Sequence, residues 1–189
     1  MGALVRAERK AVRAQEELAA VQGRQYLTFV VGGEAFGIAI ASIKEIIEYR
    51  KPTDVPMMPA FMRGVINLRG RVVPVIDPSV RFGRAPLEAA RRSCIVILEV
   101  RQADEGHDIG VMVDAVSAVL EIADADIESA PSFGAKLRAD FISGMGKVGE
   151  KFVIILEIDK VLSVEELSSL AEIAEGGAPA SQQPAALPA

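Results

Sequence analysis

One segment of the chain has the spacing of a dinucleotide-binding loop. Residues 144–149 read Gly-Met-Gly-Lys-Val-Gly, a G-x-G-x-x-G motif. Such a loop binds a pyrophosphate when it follows a strand and opens a helix, because the helix N-terminus supplies the N–H groups that contact the phosphates. Residues 150–158 are instead predicted to form a strand. The motif is therefore better explained as a turn between two strands, and no cofactor is predicted.

The chain offers few other groups for catalysis or metal binding. His107 is the only histidine and falls in a predicted charged turn, while Cys94, the only cysteine, opens a predicted strand. One histidine and one cysteine do not make a usual zinc site, and no Ser/His/acid or Cys/His arrangement is indicated. The acidic residues Asp77, Glu157 and Asp159 fall at strand ends or faces, where turn or capping roles are expected. The sequence therefore predicts neither a metal site nor an enzyme.

Arg69 is a charged residue inside an apolar stretch. With Gly70 it separates Val65–Leu68 from Val72–Ile76. The two runs are predicted strands joined by a tight turn, because Gly supplies the positive φ that such a turn needs. Pro74 cannot donate to a strand ladder, so the second strand is predicted to lie at a sheet edge, or else the N–H position of Pro74 faces out of the ladder.

Glu45 is a candidate partner for Arg69. Ile43 and Glu45 are two residues apart and so share one face of a predicted strand. If Arg69 lies opposite that face, its guanidinium and the Glu45 carboxylate form a bidentate ion pair. Two interpretations stay open. The pair is either an incidental surface contact that contributes well under ~1 kcal/mol, or it shapes a partly apolar docking surface.

The composition argues against several classes of function. The 189-residue chain has a net charge of −5, whereas nucleic-acid binding depends on a basic surface. It contains no Trp, which argues against a platform for stacking bases. The apolar runs are too short to span a bilayer, and the first residues lack the apolar region of a signal peptide. A cytoplasmic protein without direct membrane insertion is therefore predicted, and the single cysteine agrees with a reducing compartment.

Strands dominate the predicted secondary structure. In addition to the two runs around Arg69, they are Tyr26–Val31, Ala35–Ile40, Ile43–Tyr49, Ser93–Val100, Ile109–Val113, Val116–Ile122 and Phe152–Ile158. A helical turn stays open for Ile43–Tyr49, and a short helix for the pair of segments 109–113 and 116–122. The segments Lys51–Pro59, Ser79–Arg92 and Asp124–Lys136 are predicted loops because they are polar or rich in proline.

The second half of the chain repeats the pattern of the first. The matched segments are 33–47 with 106–120, 61–64 with 141–144, and 73–77 with 155–159. A duplicated order of short strands, without a long internal helix, favours antiparallel barrels over an α/β sheet. Each half is about the size that struggles to be stable alone, so the two are expected to pack together. The groove between them is then the natural binding site.

The predicted domain organisation has three parts. Residues 1–22 are predicted to form a helical arm with a weak heptad pattern. The arm either lies on its own domain, frays in solvent or binds a partner helix. Residues 23–175 form one domain of two intertwined barrels, roughly 23–90 and 91–162, followed by an amphipathic helix over 163–175. Residues 176–189 have the composition of a disordered tail.

Several segments follow one another in an order that is typical of a known family. They read Tyr-Leu-Thr-Phe-Val-Val-Gly at 26–32, Gly-Val-Ile-Asn-Leu-Arg-Gly at 64–70, Val-Pro-Val-Ile-Asp at 73–77, Ile-Gly-Val-Met-Val-Asp-Ala-Val at 109–116 and Val-Ile-Ile-Leu-Glu-Ile-Asp-Lys-Val-Leu at 153–162. Together, from about residue 25 to residue 172, they resemble the CheW family of adaptors, which couple chemotaxis receptors to the histidine kinase CheA. One departure follows Asp77, where the family usually continues with an apolar residue and a base and this chain has Pro78-Ser79.

The resemblance implies a fold and a function. The fold is mainly β, with two SH3-like five-stranded antiparallel barrels around a shared apolar seam. The function is that of an adaptor without catalysis, which binds the regulatory domain of CheA and the cytoplasmic tips of methyl-accepting receptors and is recruited to receptor arrays. The implied mechanism is docking of a receptor helical hairpin into an apolar groove. The receptor- or kinase-binding residues that it implies are Ile43, Glu45, Gly64, Asn67, Arg69 and, as the repeat equivalent of Ile43, Val116.

Other functions stay open on the sequence. The first is an adaptor in a chemosensory-like pathway that controls an output other than swimming. The second is a small barrel enzyme or nucleotide-binding protein that uses residues 144–149; a nucleotide at a hundred times its Kd would then stabilise the protein by about 2.7 kcal/mol. The third is a scaffold that binds the kinase without a receptor.

Overall fold

The computed structural model describes residues 23–102, 104–130 and 139–161, together with residues 166 and 168. Most of these residues lie in strands, because short β-branched and apolar runs alternate with turn residues. The strands are β1 (Arg24–Val31), β2 (Glu34–Ala39), β3 (Ile43–Glu48), β4 (Met62–Leu68), β5 (Arg71–Ile76), β6 (Cys94–Gln102), β7 (Glu105–Val113), β8 (Ala115–Ile122), β9 (Ile127–Glu128), β10 (Ile142–Val148) and β11 (Lys151–Leu156). The helical elements are α1 (Pro78–Arg81), α2 (Ile158–Val161) and 3-10 turns at Ile40–Ser42, Asp124–Asp126 and Ala139–Phe141.

The strands form two sheets. Sheet one has the order β8-β1-β2-β11-β10-β9, and sheet two has the order β3-β6-β7-β5-β4. The mainly β architecture of two packed sheets is therefore confirmed. Two details differ from the predicted pair of five-stranded antiparallel barrels. Sheet one has a sixth, two-residue strand, and each sheet contains one parallel pair, β2 with β11 and β5 with β7.

The two halves of the chain exchange strands. Sheet one takes β1 and β2 from the first half and β8 to β11 from the second, whereas sheet two takes β3 to β5 from the first half and β6 and β7 from the second. Sheet membership therefore does not follow the predicted division into 23–90 and 91–162, because both segments contribute strands to both sheets. The two parallel pairs join strands from different halves of the chain. In each pair one of the matched residues is a glycine: Gly37 pairs with Ile155, and Gly110 pairs with Val75. Gly110 is required there, since a Cβ on it would lie 2.8 Å from Ile95 Cγ2.

Matching β-bulges confirm the internal repeat. Lys44 is the extra residue where β3 pairs with β6, and Ser117 is the extra residue at the equivalent place where β8 pairs with β1. The same holds for Arg63 in β4 and Ser143 in β10. Bulges recur at equivalent positions when two segments share one backbone path.

One part of the predicted repeat alignment is wrong. The sequence match placed residues 73–77 opposite 155–159, with Asp77 equivalent to Asp159. In the structure the backbone N–H of Asp77 donates to the Phe61 carbonyl at 2.7 Å, and the N–H of Glu157 donates to the Phe141 carbonyl at 2.9 Å. The equivalent of Asp77 is therefore Glu157, and residues 73–77 correspond to 153–157.

The core lies between and inside the sheets. A series of four phenylalanine rings, Phe29, Phe36, Phe82 and Phe141, with centroids 5.5 to 6.2 Å apart, runs from sheet one towards the segment before β10. A separate small cluster around Tyr26, Ile122 and Ile155 fills the interior of sheet one. The largest cluster contains the buried residues of sheet two and of the seam.

Several local predictions need correction. β5 is an interior strand, so Pro74 does not mark a sheet edge; it is tolerated because the parallel pairing with β7 begins only at Val75. His107 lies within β7, since the β6–β7 hairpin extends further than the sequence indicated. The predicted loop after Asp77 contains the short helix α1, and Ile158 begins α2 instead of ending a strand.

The predicted arm over 1–22 and the tail over 176–189 lie outside the described residues, as does the helix over 163–175 apart from residues 166 and 168. Within the part of the chain that the structure describes, no helix is long and apolar enough to cross a membrane.

Candidate functional site

The β4–β5 hairpin presents Arg69 at its tip. Arg69 has a φ of 52° and Gly70 a φ of 82°, and positive φ at both central residues is the pattern of a type I′ turn. The Asn67 side-chain oxygen accepts a hydrogen bond from the Gly70 N–H at 2.9 Å. Asn67 therefore fixes the turn, and 78% of the Arg69 side chain is exposed.

Arg69 and Glu45 form the predicted bidentate pair. The two terminal guanidinium nitrogens of Arg69 donate to the two carboxylate oxygens of Glu45 at 2.9 and 3.0 Å. Glu45 lies on β3, so the pair joins the two edge regions of sheet two. An exposed pair of this kind contributes at most about 1 kcal/mol to stability. Stability alone therefore gives little reason for its geometry.

Apolar side chains lie along the strand that carries Glu45. Ile43 is half-buried and packs against the main core. Two more exposed isoleucines lie nearby in sequence but not on the face of Glu45: Ile40, 39% exposed, is in the 3-10 turn before β3, and Ile46, 42% exposed, is on the opposite face of β3. Glu45 shares the half-buried face of β3 with Ile43 and Ile47. A charge pair beside partly exposed isoleucines is the composition of an interaction surface with an apolar centre and a polar rim.

Two other predicted binding residues, Gly64 and Val116, lie outside this surface. Gly64 is buried with a φ of 128°, and a Cβ on it would lie 2.2 Å from the Thr53 carbonyl oxygen. It therefore serves the close approach of the segment around Thr53 to β4. Val116 is half-buried on β8 of sheet one and packs against the same core as Ile43.

The repeat supplies only one copy of the charge pair. The equivalents of Glu45 and Arg69 in sheet one are Ala118 and Gly149, which carry no charge. The backbone path is therefore repeated in the two sheets, but the Glu45–Arg69 pair has no equivalent in sheet one.

A network of four charged residues beside the pair was missed in the sequence. Lys44 Nζ lies 2.5 Å from Asp108 Oδ1 and 3.2 Å from Glu99, and an Arg71 terminal nitrogen lies 3.3 Å from Asp108 Oδ2. The hydrogen bond to Asp108 is the main cause that raises the pKa of Lys44 above its ordinary value of 10.5. The register of the β6–β7 hairpin would have indicated this network, because it places Glu99 directly opposite Asp108. Two like charges in that position require a cation between them.

Asp77 is a buried carboxylate outside this surface, and its predicted capping role is confirmed. It is fully buried and caps α1, with Oδ1 accepting from the N–H groups of Ser79 at 2.9 Å and Val80 at 3.4 Å. Oδ2 accepts from the Leu87 N–H at 2.8 Å and lies 3.7 Å from Arg63 Nε. Asp77 therefore holds the β5–β6 connection and has a structural role.

The remaining candidates do not assemble a chemical site. The G-x-G-x-x-G segment was predicted to be a turn between two strands, but residues 144–148 lie within β10 and only Gly149 and Glu150 form the turn to β11. A strand, β11, follows the segment, so the helix that a dinucleotide site needs is absent there. No three His, Cys, Asp or Glu side chains among the described residues are grouped so that they could hold a metal ion. An open groove of about 470 Å³ lies beside β4, and its lining comes from residues 49–89 alone, unlike the groove predicted between the two halves.

The fold is a two-sheet β module built from an internal repeat, and it carries the Glu45–Arg69 ion pair at the tip of the β4–β5 hairpin. The CheW-like domain model matches residues 25–166. The chain therefore belongs to the CheW family.

Individual relatives agree with this assignment. The chain is 34% identical over 153 residues to the chemotaxis protein CheW of Klebsiella aerogenes, a match that covers 81% of this chain and 90% of that protein. It is 33% identical over 144 residues to the chemotaxis protein CheW of Rhizobium meliloti, which covers 76% of this chain and 90% of that protein. The crystal structure of the scaffolding protein TtCheW from Thermoanaerobacter tengcongensis superposes with a TM-score of 0.68 at 30% identity, over 76% of this chain and 90% of that one.

Proposed function

We propose that this chain is a chemotaxis adaptor that couples methyl-accepting receptors to the histidine kinase CheA by docking, without catalysis of its own. The observation that carries the proposal is the bidentate Arg69–Glu45 pair on an exposed hairpin beside Ile43. The relatives named chemotaxis proteins support this output over another chemosensory pathway, and the likeness to TtCheW, a scaffolding protein, supports a scaffolding role. The adaptor would act in the cytoplasm at receptor arrays.

In this proposal the receptor tip, a helical hairpin, docks beside the charge pair. Partly exposed isoleucines receive the apolar face of a helix, as in helix-in-groove recognition. Arg69 and Glu45 then fix the orientation, because like-charge contacts with a misplaced partner cost several kcal/mol. Coupling follows if the kinase binds a second surface of the same chain, so that one binding event changes the free energy of the other.

The test compares Arg69→Ala with Arg24→Ala in binding to two purified partners, a receptor-tip fragment and the CheA regulatory domain from the same genome. Arg24, on β1 of sheet one, is a matched control because its side chain is also exposed, by 70%, and its Nε lies 3.4 Å from the carboxylate of Asp124 in the 3-10 turn that follows β8 of the same sheet. We expect Arg69→Ala to weaken receptor binding about tenfold, since arginine is enriched among the residues that contribute most to interface affinity. Kinase binding should stay unchanged, and Arg24→Ala should leave both affinities unchanged.

Two results would contradict the proposal. If the wild-type chain binds neither partner, the adaptor function is wrong although the fold stands. If both arginine variants bind the receptor fragment as tightly as the wild type, the chain is an adaptor whose receptor surface lies elsewhere. A double variant with the two charges exchanged, Glu45→Arg with Arg69→Glu, keeps an ion pair but reverses its orientation. Its receptor affinity therefore distinguishes a requirement for any ion pair from a requirement for the positive charge on the hairpin.

A further inference from the structure

Asp108 is the most enclosed member of the charged network, with 11% of its side chain exposed. It lies on β7, inside sheet two, and contacts two cations from different strands through different oxygens. Oδ1 holds Lys44 of β3, and Oδ2 holds Arg71 of β5. One carboxylate therefore joins β3 to the β4–β5 hairpin across the sheet.

Both cations are close in sequence to the docking pair. Lys44 directly precedes Glu45 and is the extra residue of the bulge in β3, where the register shifts between Ile43 and Glu45. Arg71 begins β5, two residues after Arg69. A bulge leaves one residue unpaired in the ladder, so the position of its neighbour depends on what holds that residue.

Asp108 joins two elements that do not pair with each other directly in sheet two. β3 and β4 lie at opposite edges of sheet two, so no ladder hydrogen bond connects Glu45 to the hairpin that carries Arg69. The Glu45–Arg69 pair is itself too exposed to fix their separation strongly. The less exposed carboxylate with two cationic partners is better placed to do so, because ion pairs shielded from water are screened less.

We infer that Asp108 is a positioning residue of the docking surface, which holds Lys44 and Arg71 and thereby sets the geometry of the Glu45–Arg69 pair. This inference rests on the proposed function, in that the pair belongs to the receptor surface. It adds a residue from the second half of the chain, 39 positions beyond Arg69, that itself makes no contact with the pair in the hydrogen bonds and ion pairs of the described residues.

The binding test uses Asp108→Asn in the full chain, with Glu99→Gln as the matched control. Both changes remove one negative charge at directly paired positions. Among the described residues, however, Glu99 forms an ion pair with Lys44, at 3.2 Å, and none with Arg71. We expect Asp108→Asn to weaken binding of the receptor-tip fragment about fivefold, since members of one ion-pair network are energetically coupled. The affinity for the CheA regulatory domain should stay unchanged, and Glu99→Gln should change receptor binding less than twofold.

A double-mutant cycle separates positioning from general stability. In an Arg69→Ala background, Asp108→Asn should have no further effect on receptor binding, because its effect passes through Arg69. If the same fivefold loss persists in that background, or if receptor and kinase binding fall by the same factor, Asp108 has only a structural role and the inference is overturned.

A measurement on the free protein keeps this test separate from that of the proposed function. The guanidinium NMR signals of Arg69, assigned by their loss in Arg69→Lys, report restricted rotation of a bidentate group. We expect Asp108→Asn to average these signals and Glu99→Gln to preserve them. Unchanged signals in Asp108→Asn would overturn the inference. Averaged signals in a protein that binds no receptor fragment would uphold the positioning role while the proposed function fails.

Discussion

Gly64→Ala is expected to lower the free energy of unfolding by about 3 to 5 kcal/mol, from backbone strain together with lost hydrogen bonds. Gly64 has a φ of 128°, a region that residues with a Cβ rarely adopt. The added Cβ would also lie 2.2 Å from the Thr53 carbonyl oxygen and 2.7 Å from the Thr53 carbonyl carbon. Backbone atoms cannot rotate away as a side chain can, so the segment around Thr53 has to move.

That movement breaks the bridge between Thr53 and Val65. Their backbones exchange two hydrogen bonds, at 2.8 and 2.9 Å, which tie the 51–59 segment to the outer edge of β4. Each bond contributes about 1 kcal/mol net. Gly64 was predicted as a binding residue, and we expect its effect on docking to pass through this packing.

Gly70→Ala is the matched control for Gly64→Ala. Gly70 also has a positive φ, 82°, but an added Cβ would meet no atom within 4 Å. Its substitution should cost only about 1 to 2 kcal/mol, the penalty for a left-handed residue with a Cβ. Denaturant unfolding of both variants measures the difference. Equal losses would show that conformational strain alone matters at Gly64 and that the contact with Thr53 is readily relieved.

The β4–β5 hairpin and its charge pair were predictable because their signals are local. Gly70 marks the turn, two apolar runs flank it, and Ile43 and Glu45 lie two residues apart in a strand. The bulge at Lys44 did not spoil the prediction, since Ile43, Glu45 and Ile47 still share the half-buried face of β3. Local spacing therefore located both partners of the pair before their distance was known.

The exchange of strands between the sheets was not predictable from the same signals. Apolar alternation states which face of a strand is buried, but it does not state which strand lies beside it. The pairing of Val75 with Gly110 joins residues from different halves and depends on the small size of glycine at that place. Nothing in either segment alone indicates the partner.

The error in the repeat alignment has a related cause. Because side chains in a strand repeat every two residues, offsets of 80 and 82 residues preserve the same apolar pattern. The sequence match chose the offset that places Asp77 opposite Asp159, since the residues are identical. The backbone hydrogen bonds to the Phe61 and Phe141 carbonyls show instead that Glu157 is the structural equivalent of Asp77.

Asp108 was hidden by the length of the β6–β7 hairpin. The charged stretch before Asp108 has the composition of a turn, and His107 was predicted to lie in it. In the structure β6 extends to Gln102 and β7 begins already at Glu105, so Glu99 and Asp108 lie opposite each other in the hairpin. Charged residues near the end of a hairpin carry little apolar pattern of their own, so only the strand register shows that they lie together.

Asp77→Ala is expected to lower the free energy of unfolding by about 3 to 5 kcal/mol, from a lost helix cap and a buried donor without a partner. The carboxylate is fully buried and accepts three backbone N–H groups, those of Ser79, Val80 and Leu87. Alanine removes the cap of α1 and leaves the Leu87 N–H buried without its acceptor. It also removes the counter-charge of Arg63, the extra residue of the β4 bulge.

Glu157→Ala is the control that the repeat provides. Glu157 is the structural equivalent of Asp77 and directly precedes α2, yet its side chain is half-buried and lies outside the side-chain hydrogen bonds and ion pairs of the described residues. Its substitution should change stability by less than about 0.5 kcal/mol, as for most such sites. Thermal and denaturant unfolding would measure both variants. A small loss of stability for Asp77→Ala would mean that water replaces the carboxylate without penalty. A large loss for Asp77→Ala with a small loss for Glu157→Ala would show that, of these two equivalent backbone positions, only Asp77 anchors the connection between the sheets.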